Sequence, residues 1–401
     1  MKKPLFIIYT IILLVFNSQL MASEYKVAYA GFSFSGNYTD QEKGIKFTKQ
    51  IIDESKEKGE LLNPVSASLL ETIKEVKGEN FTISFDFADL NKGSEESLVM
   101  AITLDNEYFF SEYEPLSQTY INNIQMFFQI MIYNFNSKRL VTAIPYDVTM
   151  PFLSKKEPSN EDIVAEIKKF YIDGLSSQDG DGVITAFSQV KKILNNYNLK
   201  DKYKFRIGVR SIIIEDKALE NIPSELISNT QTFKNLLAQN LAGRISTHNE
   251  IAFVPYTEGM AIGAAMKQQF VNSDEIYEVE LPQPEFVIDL TLRGYKKKLA
   301  KSSAVENLFW WASFINLNIQ QPDLKKVYLD ENLKNILKKK IPAQIKEVDD
   351  WYKFYMSTTQ LFDNIGININ SPNQDWASKT SKNAELYNNF VSLNPLIEKL
   401  K

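Results

Sequence analysis

The chain has 401 residues, of which 44% are hydrophobic and 24% charged, a balance that excludes collagenous and disordered classes and leaves room for two domains. It contains no Cys and a single His, His248, which removes thiol nucleophiles, disulfides, iron–sulfur clusters and structural zinc. With 45 basic and 50 acidic residues the formal net charge is −5, so the chain is not a bulk nucleic-acid binder, and no cofactor motif is present.

Met1-Lys2-Lys3 and the apolar run Pro4 to Phe16 form the charged and hydrophobic parts of a secretory signal, with cleavage expected after Ala22. An uncleaved anchor is the competing reading, but a spanning helix needs about 20 apolar residues. Losing Lys2 and Lys3 and no acid moves the net charge from −5 to −7. The expected address is the periplasm or the exterior, where a cysteine-free chain is at home.

From Tyr25 to Phe34 an aromatic, β-prone run reads as a strand closed by the turn Ser35-Gly36-Asn37. Residues 39–60 are polar, Ser66 to Val76 has helical spacing, and Phe81 to Phe87 alternates as a half-buried strand. An internal repeat then emerges. Leu98 to Leu104 reads as a strand, Gln118 to Tyr133 as an apolar-faced helix and Leu140 to Met150 as a second strand; Phe205 to Ile214, Gln231 to Ile245 and Ile251 to Met260 return the same order. The repeat pairs Gln118-Thr119-Tyr120 with Gln231-Thr232-Phe233, and Pro145-Tyr146 with Pro255-Tyr256, at spacings of 113 and 110 residues.

Helices are expected over Asn160 to Tyr171, capped by Ser159 or Asn160 with Asp162, and over Ile184 to Tyr197. A short helix follows over Met260 to Phe270, then an alternating strand over Phe286 to Arg293. Beyond Lys298 the Lys- and Asn-rich chain reads as helical. The fold class is therefore α/β (α+β), with two related strand-helix-strand domains in tandem. The divisions are 1–22 signal peptide, 23–155 first α/β domain, 156–204 helical connector, 205–298 second α/β domain and 299–401 helical C-terminal region.

The order strand, long helix, strand ending in Ile144-Pro145 or Val254-Pro255, short helix, then Phe286 to Arg293 resembles the α/β fold of the curli-secretion channel family. The outer-membrane activators of penicillin-binding proteins and the N-terminal domain of the Tol propeller protein look similar. The resemblance covers residues 98–152 and 205–298. It implies a fold with no active site that serves envelope assembly by contacting other proteins.

Candidate chemistry is sparse. Asp179, Asp181 and Gly182 fit part of a calcium loop, but Ser177 and Ser188 stand where its first acid and closing Glu belong, so an Asp-Gly turn is the leading reading. Gly31 to Gly36 lacks the spacing of a nucleophile elbow, and Ser55/Lys58 and Ser188/Lys191 match S-x-x-K without a supporting motif. His248 reads as part of a polar turn, Ser246 to Glu250. Asp289, Thr291 and Arg293 share a polar strand face; paired carboxylates could hydrolyse glycosides, and a solvated sheet face explains them equally.

Two aromatic clusters, Trp310 with Trp311 and Trp351 with Tyr355, are the candidate partner-binding residues. Their helical spacing makes helix core the competing reading. Lys338-Lys339-Lys340 reads as a solvated face, with anionic lipid headgroups as the minority alternative. The expected function is a non-enzymatic periplasmic protein-binding factor in cell-envelope or surface-structure assembly. The alternative is glycan binding or carboxylate-dependent glycan hydrolysis. Envelope proteins are the expected partners, peptidoglycan the second candidate, with no nucleic acid and at most peripheral membrane contact.

Overall fold

The computed structural model describes residues 25–35, 44–86, 97–176, 183–200, 205–257, 264–273, 275–345 and 348–401. In chain order they form β1 (Tyr25–Ser35), α1 (Lys46–Glu57), α2 (Pro64–Lys74), β2 (Phe81–Ser84), β3 (Leu98–Glu114), β4 (Thr119–Asn134) and β5 (Leu140–Ser154). There follow α3 (Asn160–Ile172), the two-residue strands β6 (Leu175–Ser176) and β7 (Val183–Ile184), α4 (Ser188–Asn196), β8 (Ile207–Ile214), and the single turns α5 (Asp216–Leu219) and α6 (Ser224–Ile227). The remainder is α7 (Thr230–Asn249), β9 (Phe253–Val254), β10 (Ala265–Phe270), β11 (Ile276–Glu280), β12 (Phe286–Ser302), β13 (Glu306–Gln321), β14 (Lys326–Pro342), α8 (Asp350–Asn370), α9 (Gln374–Thr380), α10 (Leu386–Val391) and α11 (Asn394–Leu400).

The class is α/β, with a helical region at the C-terminus, but three expectations are corrected. Gln118 to Tyr133 is not a helix: Thr119–Asn134 is the central strand of an antiparallel meander, bonded to β3 and β5. The Met260 to Phe270 segment, where described, ends in β10. The chain beyond Lys298 stays extended to Pro342 and becomes helical only at Asp350.

A repeat does exist, with different members. The first sheet has the order β11-β10-β1-β3-β4-β5 with β2 beside β1, and the second β14-β13-β12-β8-β9. In each, one strand (β1, β8) is flanked by parallel neighbours (β2 and β3; β9 and β12), and a long antiparallel meander (β3-β4-β5; β12-β13-β14) continues outward. The bulges recur as well. Between β1 and β3 the register slips at Tyr29/Gly31, and between β8 and β12 opposite Val209/Ser211. Between β3 and β4 it slips at Leu104/Asn106, and between β12 and β13 at Leu292/Gly294. Asp105 and Arg293 are thus equivalent extra residues, 188 positions apart (105 to 293). By contrast, the identity match at 113 pairs a strand with a helix, and that at 110 pairs β5 with the residues after β9. Of the element order behind the envelope-family resemblance, β8, α7, β9 and β12 supply the first strand, long helix, second strand and last strand, but β10 and β11 are the described elements where a short helix was expected, and β4 replaces the long helix in the first segment.

The layers follow from which faces are apolar. Helices α1 to α4 cover one face of the first sheet, burying Phe32, Phe34, Phe128, Ile167 and Phe187. Helices α7 and α8 fill the space between the two sheets, with Trp311, Ile315, Leu317 and Phe362 in that core. They cross closely at Gly366, where a Cβ would lie 2.7 Å from the Arg244 carbonyl oxygen, so only glycine fits. Local signals start the helices. Asn63 accepts from Ser66 N ahead of Pro64 in α2, and Ser159 with Asp162 forms a capping box on α3, as the spacing predicted.

Helix α1 has no side-chain cap of its own, and Glu107 of β3 caps it from a distance by accepting from Phe47 N at 2.8 Å and Thr48 N at 3.0 Å. Burial pushes Glu107 up to about 7, against its bonds to Thr48 and Phe47, and pushes Asp105 up to about 7, against its bonds from Gln129 and Ser35. Between the ordinary carboxylate range and pH 7, the folded chain therefore holds protons that the unfolded chain has released. Their contribution to stability is full at the acid end and lost as pH rises through about 7. Urea unfolding should show lower stability at pH 8 than at pH 5, and Asp105→Asn, which keeps an acceptor for Gln129, should regain about 1–3 kcal/mol at pH 8. An unchanged pH 8 midpoint would contradict this.

Candidate binding surfaces

Strand alternation separates the neighbouring tryptophans. Trp311 points inward, is fully buried, and donates from Nε1 to Asp350 Oδ1 at 2.8 Å at the start of α8. Trp310 points to the outer face of the second sheet. Trp351 donates from Nε1 to Tyr108 Oη at 2.7 Å and meets Phe233 and Tyr295 edge-on, at 5.7 and 5.8 Å between centroids. Tyr355 is buried, and its hydroxyl donates to Gln125 Oε1 at 2.7 Å. The structure therefore brings Trp311, Trp351 and Tyr355 together in the seam between the repeats, with Trp311 and Tyr355 buried and Trp351 half-buried. Asp179 and Asp181 lie outside the described residues. Among those described, no group of three or more His, Asp or Glu could hold a metal ion.

The seam also holds a polar chain. Gln125 Nε2 donates to Asp147 at 2.9 Å, Arg244 bridges Asp147 at 2.8 Å and Asp363 at 3.5 Å, and Asp363 meets His248 Nε2 at 2.8 Å. His248 is in the last turn of α7, not in a loop, because the helix runs on to Asn249 before Glu250 turns left-handed at φ 55°. The chain links β4, β5, α7 and α8, and its two carboxylates are taken up by Gln125, Arg244 and His248. Beside it, Lys353 of α8 is ion-paired with Glu112 of β3.

On the outer face, Trp310 lies between its register partners Lys298 and Lys338, whose ammonium groups are 5.7 and 5.1 Å from the ring centroid. The ring is partly exposed. Farther along the face, Asp289 binds Arg210 in bidentate fashion and accepts from Ser211 Oγ at 2.6 Å and Gln320 Nε2 at 2.9 Å. Burial raises its pKa, but the bonds from Arg210, Ser211 and Gln320 outweigh this and hold it below the ordinary range. A carboxylate so held is a poor general acid.

A cleft of about 470 Å³ opens where β5 (Ile144, Pro145), α4 (Gln189, Asn196) and the end of α7 (Thr247, Glu250) meet. Its size suits a small ligand. Lys192 and Lys200 stand on its rim. Sequence reading missed this cleft because its walls come from segments as far as 257 residues apart (144 to 401); the Asn196 to Asn198 run at the end of α4 was its local trace. It likewise missed Glu112 with Lys353, two ordinary charges in the sequence.

No family model and no curated protein matches the chain. Among solved structures, a chain described as a neuraminyllactose-binding hemagglutinin homolog from Helicobacter pylori aligns over 49% of this chain and 98% of its own, at 15% identity. Its TM-score of 0.23 is too low to carry an argument about fold or function. Among the described residues, no helix is long and apolar enough to cross a membrane.

Proposed function

We propose that this chain is an exported, non-enzymatic protein-binding factor of cell-envelope or surface-structure assembly, and that its partner docks on the outer face of the second sheet around Trp310. The observation that carries this reading is a partly exposed tryptophan fixed between two lysines on a sheet face that remains open along β13 and β14. Tryptophan is the residue most enriched at interface hot spots, and the flanking lysines suit a partner with an acidic surface. The signal-like N-terminus and the resemblance to envelope-assembly families support the address.

Affinity capture of the tagged protein from cross-linked envelopes should return one or two protein partners in stoichiometric amount. Trp310→Ala should reduce that capture about tenfold or more while leaving the protein folded. Recovery of peptidoglycan fragments alone would overturn the reading. Glycan binding is the second reading, favoured by the amide and hydroxyl lining of the cleft (Gln189, Asn196, Thr247), and would then be tested with Asn196→Ala.

A further inference from the structure

The repeat places two equivalent hairpin tips at one end of the molecule. The β3–β4 turn and the β12–β13 turn occupy matching positions in the two meanders, and the first turns of α8 are held between them: the Tyr352 ring packs tilted against Phe110 with 4.9 Å between centroids, Lys353 pairs with Glu112, and Asp350 pairs with Lys297 at 2.7 Å. Both tips end in apolar side chains that nothing in the fold requires to be there. Leu116 at the first is 67% exposed and Leu153, near the end of β5 beside it and in register with Ile121, is 70% exposed; Val305 at the second is 76% exposed, with Leu299 and Tyr113 about half exposed nearby. Tyr113 and Tyr120 pair their rings at 5.0 Å just behind the first apex.

The same end is basic in a chain that is acidic overall. Lys155 and Lys156 adjoin the first tip, and Lys298, Lys301 and the run Lys338 to Lys340 surround the second. Against these seven stand Glu114, Glu157, Glu306 and, at the start of α8, Asp349; Asp350 is paired with Lys297 and Glu112 with Lys353, while Lys340 spends itself on Glu306 and Lys156 on Asp162. We propose that these paired tips are a docking surface for an anionic lipid bilayer, each inserting its apex residues between headgroups while the lysine collars bind the phosphates.

Convex tips with single apolar apices give a protein pocket little to enclose, whereas a deformable interface accepts them. Paired tyrosines set back from an apex match the headgroup level, and lysines around it can extend along the surface. Two tips on one molecule engage the same surface together, so weak insertions multiply.

The test is co-sedimentation of the protein, purified from the exported fraction with its N-terminus read by mass spectrometry, on phosphatidylglycerol/phosphatidylcholine vesicles. Binding should be strong on these, weak on phosphatidylcholine alone, and reduced by salt. Lys155→Glu with Lys301→Glu should lower it at least tenfold, since each basic residue near an anionic surface is worth about fivefold in partition. Leu153→Ser with Val305→Ser, both on the surface and so harmless to the core, should lower it comparably. Absence of vesicle binding, or binding that survives both pairs, overturns the proposal, whether it is carried by residues 4–16 or by another face. Capture of a protein partner that both pairs abolish without any vesicle binding overturns it as well.

Discussion

Glu112→Ala should cost about 3–5 kcal/mol of stability, the usual result of stripping one partner from a buried ion pair. Lys353 is 1% exposed and Glu112 13%. Both sit where α8 crosses the distal half of β3, and Lys339 adds a second positive charge nearby. Burial already pushes Lys353 down to about 8, in spite of the ion pair with Glu112. Without that carboxylate, the ammonium has nothing to offset its desolvation. The pH dependence has a definite sign. Between pH 8 and the ordinary lysine range the unfolded chain holds a proton that the folded one has shed, so stability contributed by this group rises with pH. Urea unfolding of Glu112→Ala should therefore show a larger deficit at pH 7 than at about pH 9.5, and Glu112→Leu with Lys353→Met should recover most of it. A loss under about 1 kcal/mol at pH 7 would mean that the pair is hydrated and does not brace the repeats.

The adjacent tryptophans should behave in opposite ways. Trp311→Ala removes a fully buried indole and its bond to Asp350, and should cost about 3–5 kcal/mol, with loss of near-ultraviolet circular dichroism from the seam. Trp310→Ala removes a partly exposed ring that lies between Lys298 and Lys338, and should cost no more than about 1 kcal/mol. Chemical denaturation of the two variants side by side decides the matter. Equal losses would place both rings in the core and remove the anchor from the proposed docking face.

The contrast shows what was legible in the sequence. Phe286 to Arg293 and Phe205 to Ile214 alternate or run apolar; β12 begins with the first and runs on to Ser302, and β8 lies in the second. Gln231 to Ile245 has a helix's spacing and lies in α7. Thr119–Asn134 failed because the first sheet is covered on both faces, so that all residues from Gln125 to Tyr133 are buried and the two-residue period vanishes. Strand β14 failed for another reason. Its inward positions are Leu329, Glu331, Leu333, Asn335 and Leu337, and the two polar members are satisfied from the C-terminal region: Glu331 accepts from Asn383 and Asn389, and Asn335 donates to the Ser357 carbonyl. Leucines every four residues then imitate a helix face. Ser313 plays the same part between Trp311 and Ile315, bonded to Ser357 at 3.1 Å. Three of the four aromatic candidates are concentrated by the fold at one seam, and the fourth, Trp310, is on the outer face; which side of β13 each tryptophan faces could not be told without knowing that β13 is a strand. The repeat was perceptible only as a suspicion, since what recurs is strand order and bulge position, and neither leaves a residue identity to match.

Strand β10 pairs with β1 across Ser33 to Ser35, although it belongs to the stretch between β9 and β12 of the second repeat. The first half is consequently unfinished until residue 280 has been made and has come back to it. A ribosome releasing this chain, or a translocation pore threading it, delivers an amino-terminal half whose edge waits on sequence 230 residues downstream (35 to 265). Such wiring delays closure until most of the polypeptide is present and couples the two halves into one cooperative event.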